Sequence, residues 1–183
     1  ITTSLDKENN RITGTTQSFS SFAVGYSTGP TAVITSPSEG DAIRGKVEII
    51  GTAAGTAFAY YTIEYGEGRS PESWSLIRRS SEPVTDGVLA TWDTSGVEDG
   101  EYTIRLTVVD TYEVRTETAV RVLVDNTPPV IQDVLPVEGD FVSAEPTITA
   151  TLTDNLSGID EDSILLKLNG NEVNPAPSFD PNT

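Results

Sequence analysis

The stretch Gly100-Glu101-Tyr102-Thr103-Ile104-Arg105-Leu106-Thr107-Val108-Val109-Asp110 decides the fold class of this chain. Tyr102, Ile104, Leu106 and Val108 alternate with Glu101, Thr103, Arg105 and Thr107. A period of two puts the first set on one face of a β-strand and the second set on the other. The turn pair Asp99-Gly100 leads in and Asp110 leads out, so the pattern predicts a strand over 102–109 with one face on a core and the other in water.

The same alternation recurs on both sides. Across residues 28–125 it predicts seven strands, at 31–36, 46–53, 57–65, 74–79, 89–92, 102–109 and 116–124. Ser38-Glu39-Gly40-Asp41 and Gly66-Glu67-Gly68-Arg69 are turn clusters between them, because glycine tolerates positive φ and Ser and Asp bond neighbouring amides. Ala59, Tyr61, Ile63 and Tyr65 share one face of the third strand; Val120, Val122 and Val124 share one face of the last. Trp74 and Trp92 are expected as core pieces or plugs at a sheet edge. Val47 and Ile49 claim the inward face of their strand, which leaves Lys46 pointing outward and sets aside a crosslink through it.

Two proline-bearing joints, Thr28-Gly29-Pro30 and Asp125-Asn126-Thr127-Pro128-Pro129, divide the chain. Proline lacks an amide donor and holds the preceding residue extended, so both joints read as stiff linkers. Residues 28–125 then form one complete β-sandwich. Residues 1–27, with strand-like runs at 1–5, 11–15 and 20–24 and a turn at Glu8-Asn9-Asn10, read as the closing strands of a preceding β-domain. Residues 126–183, with runs at 130–135, 147–153, 164–168 and Glu172-Val173, read as the opening part of a second sandwich. Pro175, Pro177 and Pro181 oppose further ordinary strands there. The expected partners are therefore neighbouring domains of the same polypeptide, with strand complementation between chains as the alternative.

Composition narrows the chemistry. The 183 residues carry 28 acidic and 11 basic side chains, a net charge of −17, which repels phosphate backbones and anionic bilayers and argues against nucleic acid as a partner. Cys and His are both absent, which removes thiolate nucleophiles, imidazole bases, the Ser-His-Asp triad and the usual zinc and copper sites. No apolar run is long enough to predict a membrane span. Residue 1 is isoleucine and no methionine occurs, so the chain reads as a processed product or an excised piece.

Oxygen chemistry remains. Calcium takes six to eight oxygen ligands and accepts loop carboxylates, and Asp125, Asn126, Asp154 and Asp160 are the candidate ligands, with Asn155 and Asp162 beside them. The competing role for Asp125 and Asp154 is to cap turns by accepting nearby amides. No Asp-x-Asp-x-Asp-Gly loop occurs, so an EF-hand is excluded. Trp74 and Tyr60 are the candidate platforms for stacking on a sugar, while alternation favours core positions for Tyr61, Tyr65 and one tryptophan. A carboxylate-pair glycosidase would need a cleft to raise one pKa, and no insertion signals one, so no catalytic residue is assigned. Asn155-Leu156-Ser157 matches a glycosylation acceptor, a triplet that also arises by chance.

Taken together, Trp74-Ser75-Leu76-Ile77, Leu89-Ala90-Thr91-Trp92-Asp93-Thr94-Ser95 and Asp99-Gly100-Glu101-Tyr102-Thr103-Ile104-Arg105-Leu106 resemble the tandem Ig-like and fibronectin type III-like repeats of secreted or surface bacterial and archaeal proteins. Asp125-Asn126-Thr127-Pro128-Pro129-Val130 with Thr153-Asp154-Asn155-Leu156-Ser157-Gly158-Ile159-Asp160 is similar to the opening of another such repeat, and residues 16–24 resemble a closing strand. Tyr102 stands where such sandwiches place a corner tyrosine. Thr111-Tyr112-Glu113 replaces the Gly-Asn usual after Asp110, so that turn is expected to differ. The resemblance implies an all-β, Ig-like or fibronectin-like β-sandwich with partial β-domains at both ends, at the cell surface or outside the cell. It implies a non-catalytic structural spacer of a larger protein, with an adhesive role. The alternatives are an accessory carbohydrate-binding module of a secreted hydrolase, with polysaccharide as partner, and a self-associating subunit of a surface layer or filament. No cofactor is expected apart from calcium.

Overall fold

The computed structural model describes residues 2–6, 11–15 and 29–173. The fold is all-β. At the start of the chain β1 (Thr2–Asp6) and β2 (Arg11–Thr15) form an antiparallel hairpin. The strand expected at 20–24 lies outside the described residues, as do the three prolines after residue 174.

Eight strands follow: β3 (Thr31–Ser36), β4 (Ala42–Ile43), β5 (Lys46–Ala54), β6 (Phe58–Glu67), β7 (Ser75–Ser80), β8 (Val84–Asp93), β9 (Gly100–Asp110) and β10 (Arg115–Val124). They make a five-stranded sheet in the order β4-β10-β9-β6-β7 and a three-stranded sheet in the order β3-β5-β8. Every pairing is antiparallel except β4 with β10. Both sheets turn their apolar faces to one core. Ile49, Ala53, Leu89, Ala90 and Trp92 come from the smaller sheet, and Tyr61, Ile63, Ile104, Leu106, Val108 and Val122 from the larger.

Two aromatic groups tie the sheets together. The Tyr61 hydroxyl on β6 donates to the Leu89 carbonyl on β8 at 2.7 Å, which satisfies a phenol buried in the core. Trp92 stacks on Tyr65, with ring centroids 4.6 Å apart, and meets the edge of Tyr102 at 5.7 Å. Tyr102 in turn donates to the Glu98 carbonyl at 3.0 Å and closes the corner that leads into β9.

Three expectations need correction. First, β9 was read with one face in water, yet Thr103 and Thr107 on that face are buried. The strand is central, and side chains of its neighbours roof it. Thr103 donates to the Gly68 carbonyl at 2.7 Å and Thr107 to Glu117 at 3.1 Å. Arg105 lies between the Glu64 carboxylate at 2.8 Å and the Trp74 ring at 3.9 Å. Second, β8 begins at Val84 rather than at 89. Asp86 (φ 47°) and Gly87 sit where the β5–β8 register slips, which broke the alternation that sequence reading relies on. Third, the two-residue strand β4 was missed, being too short to show any period.

Gly51 has a specific reason to be glycine. A Cβ built there would lie 2.0 Å from the Val33 carbonyl oxygen, so the close approach of β3 to β5 admits no side chain. The turn after β9 does depart from a Gly-Asn turn. Asp110 Oδ1 accepts the amides of Tyr112 at 2.8 Å and Val114 at 2.9 Å, and Glu113 takes φ 65°. The carboxylate thus supplies the closure that a glycine would otherwise allow.

Beyond residue 125 come β11 (Val130–Leu135) paired with β12 (Thr149–Thr153), and β13 (Leu166–Leu168) paired with β14 (Asn171–Val173). Adding 99 to each residue number carries four of the five β3–β5 pairs onto β11 and β12: Thr31↔Ala54 becomes Val130↔Thr153, Ala32↔Ala53 becomes Ile131↔Leu152, Val33↔Thr52 becomes Gln132↔Thr151, and Ser36↔Ile50 becomes Leu135↔Thr149, while Ile34↔Gly51 has no paired counterpart. The intervening turn corresponds as well. Asp41 Oδ2 accepts the Ser38 amide at 2.7 Å and Asp140 Oδ2 accepts the Val137 amide at 3.0 Å, with Gly40 and Gly139 at φ 85° and 92°. The two segments differ in cover: Ile43 and Ile49 are 8% and 0% exposed, whereas Val142 and Ile148 are 52% and 41% exposed.

Candidate functional site

The strongest concentration of ordered polar groups lies where β10 leaves the two-sheet body. β4 guides the exit: the Asp125 amide donates to the Ile43 carbonyl at 3.0 Å, which prolongs the parallel pairing by one residue. Val124 is buried beneath it, so the following side chains emerge at a fixed place.

Asn126 is held from three directions. Its Oδ1 accepts the Gly45 amide at 3.2 Å and the Thr94 hydroxyl at 3.1 Å, while its Nδ2 donates to the Thr94 carbonyl at 2.9 Å. Its own amide donates to Asp99 Oδ1 at 2.7 Å. The second oxygen of Asp99 accepts the Thr127 hydroxyl. Thr94, fully buried, also donates its amide to the Gly45 carbonyl at 2.8 Å. The short 3-10 turn that carries Thr94 starts at Asp93, whose carboxylate accepts the Ser95 hydroxyl and amide.

Asp125 reaches the other way. One oxygen accepts the Thr127 amide at 3.2 Å and the other accepts the Ser157 amide at 2.9 Å, in the loop after β12. That loop is shaped by Asp154, whose Oδ1 accepts the amides of Leu156 at 3.0 Å and Gly158 at 2.9 Å. Asp160 accepts the Asp162 amide at 3.1 Å and opens a second short 3-10 turn. Asp125 and Asp154 therefore both act as amide acceptors, and Asp125 joins two parts of the chain that are 32 residues apart.

These bonds favour the ionised carboxylates. The Ser157 hydroxyl and amide hold Asp125 below the ordinary aspartate value of 3.8, assisted by the Thr127 amide and the charge of Arg44. The Thr127 hydroxyl, then the Asn126 amide, do the same for Asp99. Burial raises Tyr102 above 10.0, and the nearby carboxylates of Glu67, Glu98 and Asp99 add to the effect.

The four candidate calcium ligands are thus placed as follows. Asp125 and Asn126 stand together at the clasp, the Asp154 loop comes to it through Ser157, and Asp160 caps a turn further on. Among the described residues, no three carboxylates converge as a metal cage. The oxygens at the clasp face N–H and O–H donors, so a cation would enter only by displacing them.

The two candidate sugar platforms are each covered on one face. The Arg105 guanidinium lies over Trp74 and that of Arg79 over Tyr60, both 3.9 Å from the ring centroid. Tyr60 and Arg79 also border an open surface hollow of about 570 Å³ with Ser80, Ser81 and Glu82. A smaller one, about 230 Å³, lies between Tyr65, Glu67, Glu98 and Tyr102.

Sequence reasoning singled out Asp125 and Asn126 but missed Asp99, Thr94, Gly45, Thr127 and Ser157. Asp99 was read as a turn residue only; its role depends on a partner 27 residues ahead. No helix among the described residues is long and apolar enough to cross a membrane. Comparison with protein-family models, curated proteins and solved structures finds no match.

Proposed function

We propose that this chain is a non-catalytic spacer segment of a larger extracellular or cell-surface protein, in which residues 28–125 are an Ig-like β-sandwich and residues 126–183 open a second one. The strand orders β4-β10-β9-β6-β7 and β3-β5-β8, with a tyrosine closing the corner before β9, agree with that architecture. The observation that carries the spacer reading is the clasp itself. Asp99 and Asn126 fix the exit of one body, and Asp125 binds that exit to the loop of the next through the Ser157 amide, an arrangement suited to holding an angle between consecutive units. The acidic surface keeps such segments apart from one another in solution.

Backbone ¹⁵N relaxation on the full chain tests the reading. A spacer gives one common tumbling time for residues 31–124 and 130–153; independent tumbling of the two segments rejects it. The hollow beside Tyr60 favours a second reading, a carbohydrate-binding module. A glycan array answers it: retained sugar, lost with Tyr60→Ala or Trp74→Ala, would replace the spacer with that module.

A further inference from the structure

We propose that the hollow at the end of the core, between Glu67 and Glu98, is a binding site for a primary alkylammonium group, the head of a lysine side chain or of a free amine. The site stands apart from the spacer reading. On β6 the alternation that turns Tyr61, Ile63 and Tyr65 toward the core reaches Glu67 next, so a carboxylate stands where an apolar residue would close the end of the two-sheet body. Glu67 pairs with Tyr102 on β9. Val97 and Glu98, in the turn after β8, form the other side, and about 230 Å³ of open space lies between these groups and the Tyr65 and Tyr102 rings.

The walls are fixed in advance of any ligand. The Gly68 amide donates to the Glu101 carbonyl at 2.7 Å and the Thr103 hydroxyl to the Gly68 carbonyl at 2.7 Å, which pins the backbone just past Glu67. The Tyr102 hydroxyl donates to the Glu98 carbonyl at 3.0 Å, which pins the opposite wall and commits the one phenolic proton of that ring. A Cβ at Gly66 would lie 2.4 Å from the Pro71 side chain, so the β6–β7 loop rests directly on the strand and brings Ser73 to the rim.

The hollow offers acceptors and negative charge. Neither Glu67 nor Glu98 has a salt-bridge partner among the described residues, and no basic side chain lines the space. Burial, and after it the charges of Glu67 and Glu98, raise the Tyr102 phenol, a mark of negative potential at this spot. Carboxylates beside aromatic rings suit a cation with an apolar stem: the ammonium N–H groups donate to the carboxylates while the methylenes lie on the rings. An anion would meet two carboxylates and no positive charge.

Titration of the full ¹⁵N-labelled chain with n-butylammonium chloride, against NaCl at equal ionic strength and against neutral n-butanol, tests the site. The expected result is a set of saturable shifts at the Gly66, Val97 and Tyr102 amides with n-butylammonium alone, weakened by added salt. Glu67→Gln and Glu98→Gln, both at exposed positions, should each weaken binding about threefold. Glu48→Gln removes the same charge from an exposed position on β5 and should leave binding unchanged. Nα-acetyl-lysine methylamide identifies the source: tighter binding than n-butylammonium assigns the site to lysine in a peptide, and equal binding assigns it to the ammonium head alone. Shifts reproduced by n-butanol overturn the proposal, and so does the absence of saturable shifts. A loss as large in Glu48→Gln as in Glu67→Gln also overturns it, because the amine would then be drawn only by the net charge of −17.

Discussion

The Ser157 amide donates to Asp125 Oδ2 at 2.9 Å, joining the end of β10 to the loop behind β12 across 32 residues. This charge-assisted bond reaches from the exit of β10 to a loop of the following segment. Asp125→Ala should leave the core transition of residues 29–125 nearly unchanged, because the amides this carboxylate accepts, those of Thr127 and Ser157, lie outside that body. It should instead accelerate amide exchange at Ser157 and Thr127 and increase proteolysis in the 126–129 joint. Hydrogen exchange followed by NMR distinguishes the outcomes: unchanged protection at Ser157 would mean that the bond does not hold the loop.

Asn126 is predicted to matter more for stability than its polar character and partial exposure suggest. Asn126→Ala removes three side-chain hydrogen bonds and leaves the buried Thr94 hydroxyl with only the Gly45 carbonyl. At about 1 kcal/mol per bond, less what water restores, the loss should be about 2 kcal/mol. Urea denaturation measures it, and a change below a few tenths would show the cluster to be ornamental.

The pH dependence has a definite sign. Asp99 is depressed below 3.8 in the folded protein by Thr127 and Asn126, so its contribution is complete above the unfolded value, about 3.9, and is lost as pH falls through the folded one. Acid also relieves repulsion among the 28 carboxylates, an opposing effect on the total. Comparison with Asp99→Asn separates them, since the variant feels the general relief but not the specific loss. The wild type should melt higher than Asp99→Asn at pH 7, and the gap should close below about pH 4. A gap that is constant with pH would refute the assignment.

Much of the fold was legible because the alternation of β9, β6 and β10 is long and its apolar members are bulky. Tyr61, Ile63, Leu106 and Val122 could be assigned to the core from spacing alone. What escaped was carried by non-local geometry. The first half of β8 hid behind Gly87 and a register slip; the outer face of β9 consists of Thr103, Arg105 and Thr107, whose polarity suggests solvent although neighbouring strands cover them. The 99-residue correspondence could have been seen earlier in Pro37-Ser38-Glu39-Gly40-Asp41 and Pro136-Val137-Glu138-Gly139-Asp140, which a comparison of the chain with itself would align. At the clasp, Asp125 and Asn126 were visible as oxygen donors to a cation. Apart from the hydroxyls of Thr94 and Ser157, the donors to their oxygens are amides of Gly45, Thr127 and Ser157, and an amide leaves no trace in a side-chain pattern.

The Tyr61 and Tyr102 hydroxyl bonds give a graded test of the core. Tyr61→Phe strands the Leu89 carbonyl in an apolar interior and should cost about 1–3 kcal/mol, the penalty of an unsatisfied buried acceptor. Tyr102→Phe frees the Glu98 carbonyl nearer to solvent, where water can replace the phenol, and should cost about 1 kcal/mol. Chemical denaturation of both variants ranks them, and the reverse order would contradict the placement of Tyr61 between the sheets.

A last pair of substitutions asks whether one core or two resist unfolding. Leu106 is fully buried between the sheets, so Leu106→Ala should cost about 2–5 kcal/mol through lost transfer energy and the cavity it leaves. Ile131 occupies a strand of similar pattern but is 65% exposed, so Ile131→Ala should change the main transition by less than about 0.5 kcal/mol in dilute monomer. The comparison is made on dilute protein, so that the monomer is what unfolds. A large effect of Ile131→Ala under those conditions would mean that the β11–β12 hairpin is packed against the main body, contrary to the exposure of its inner face.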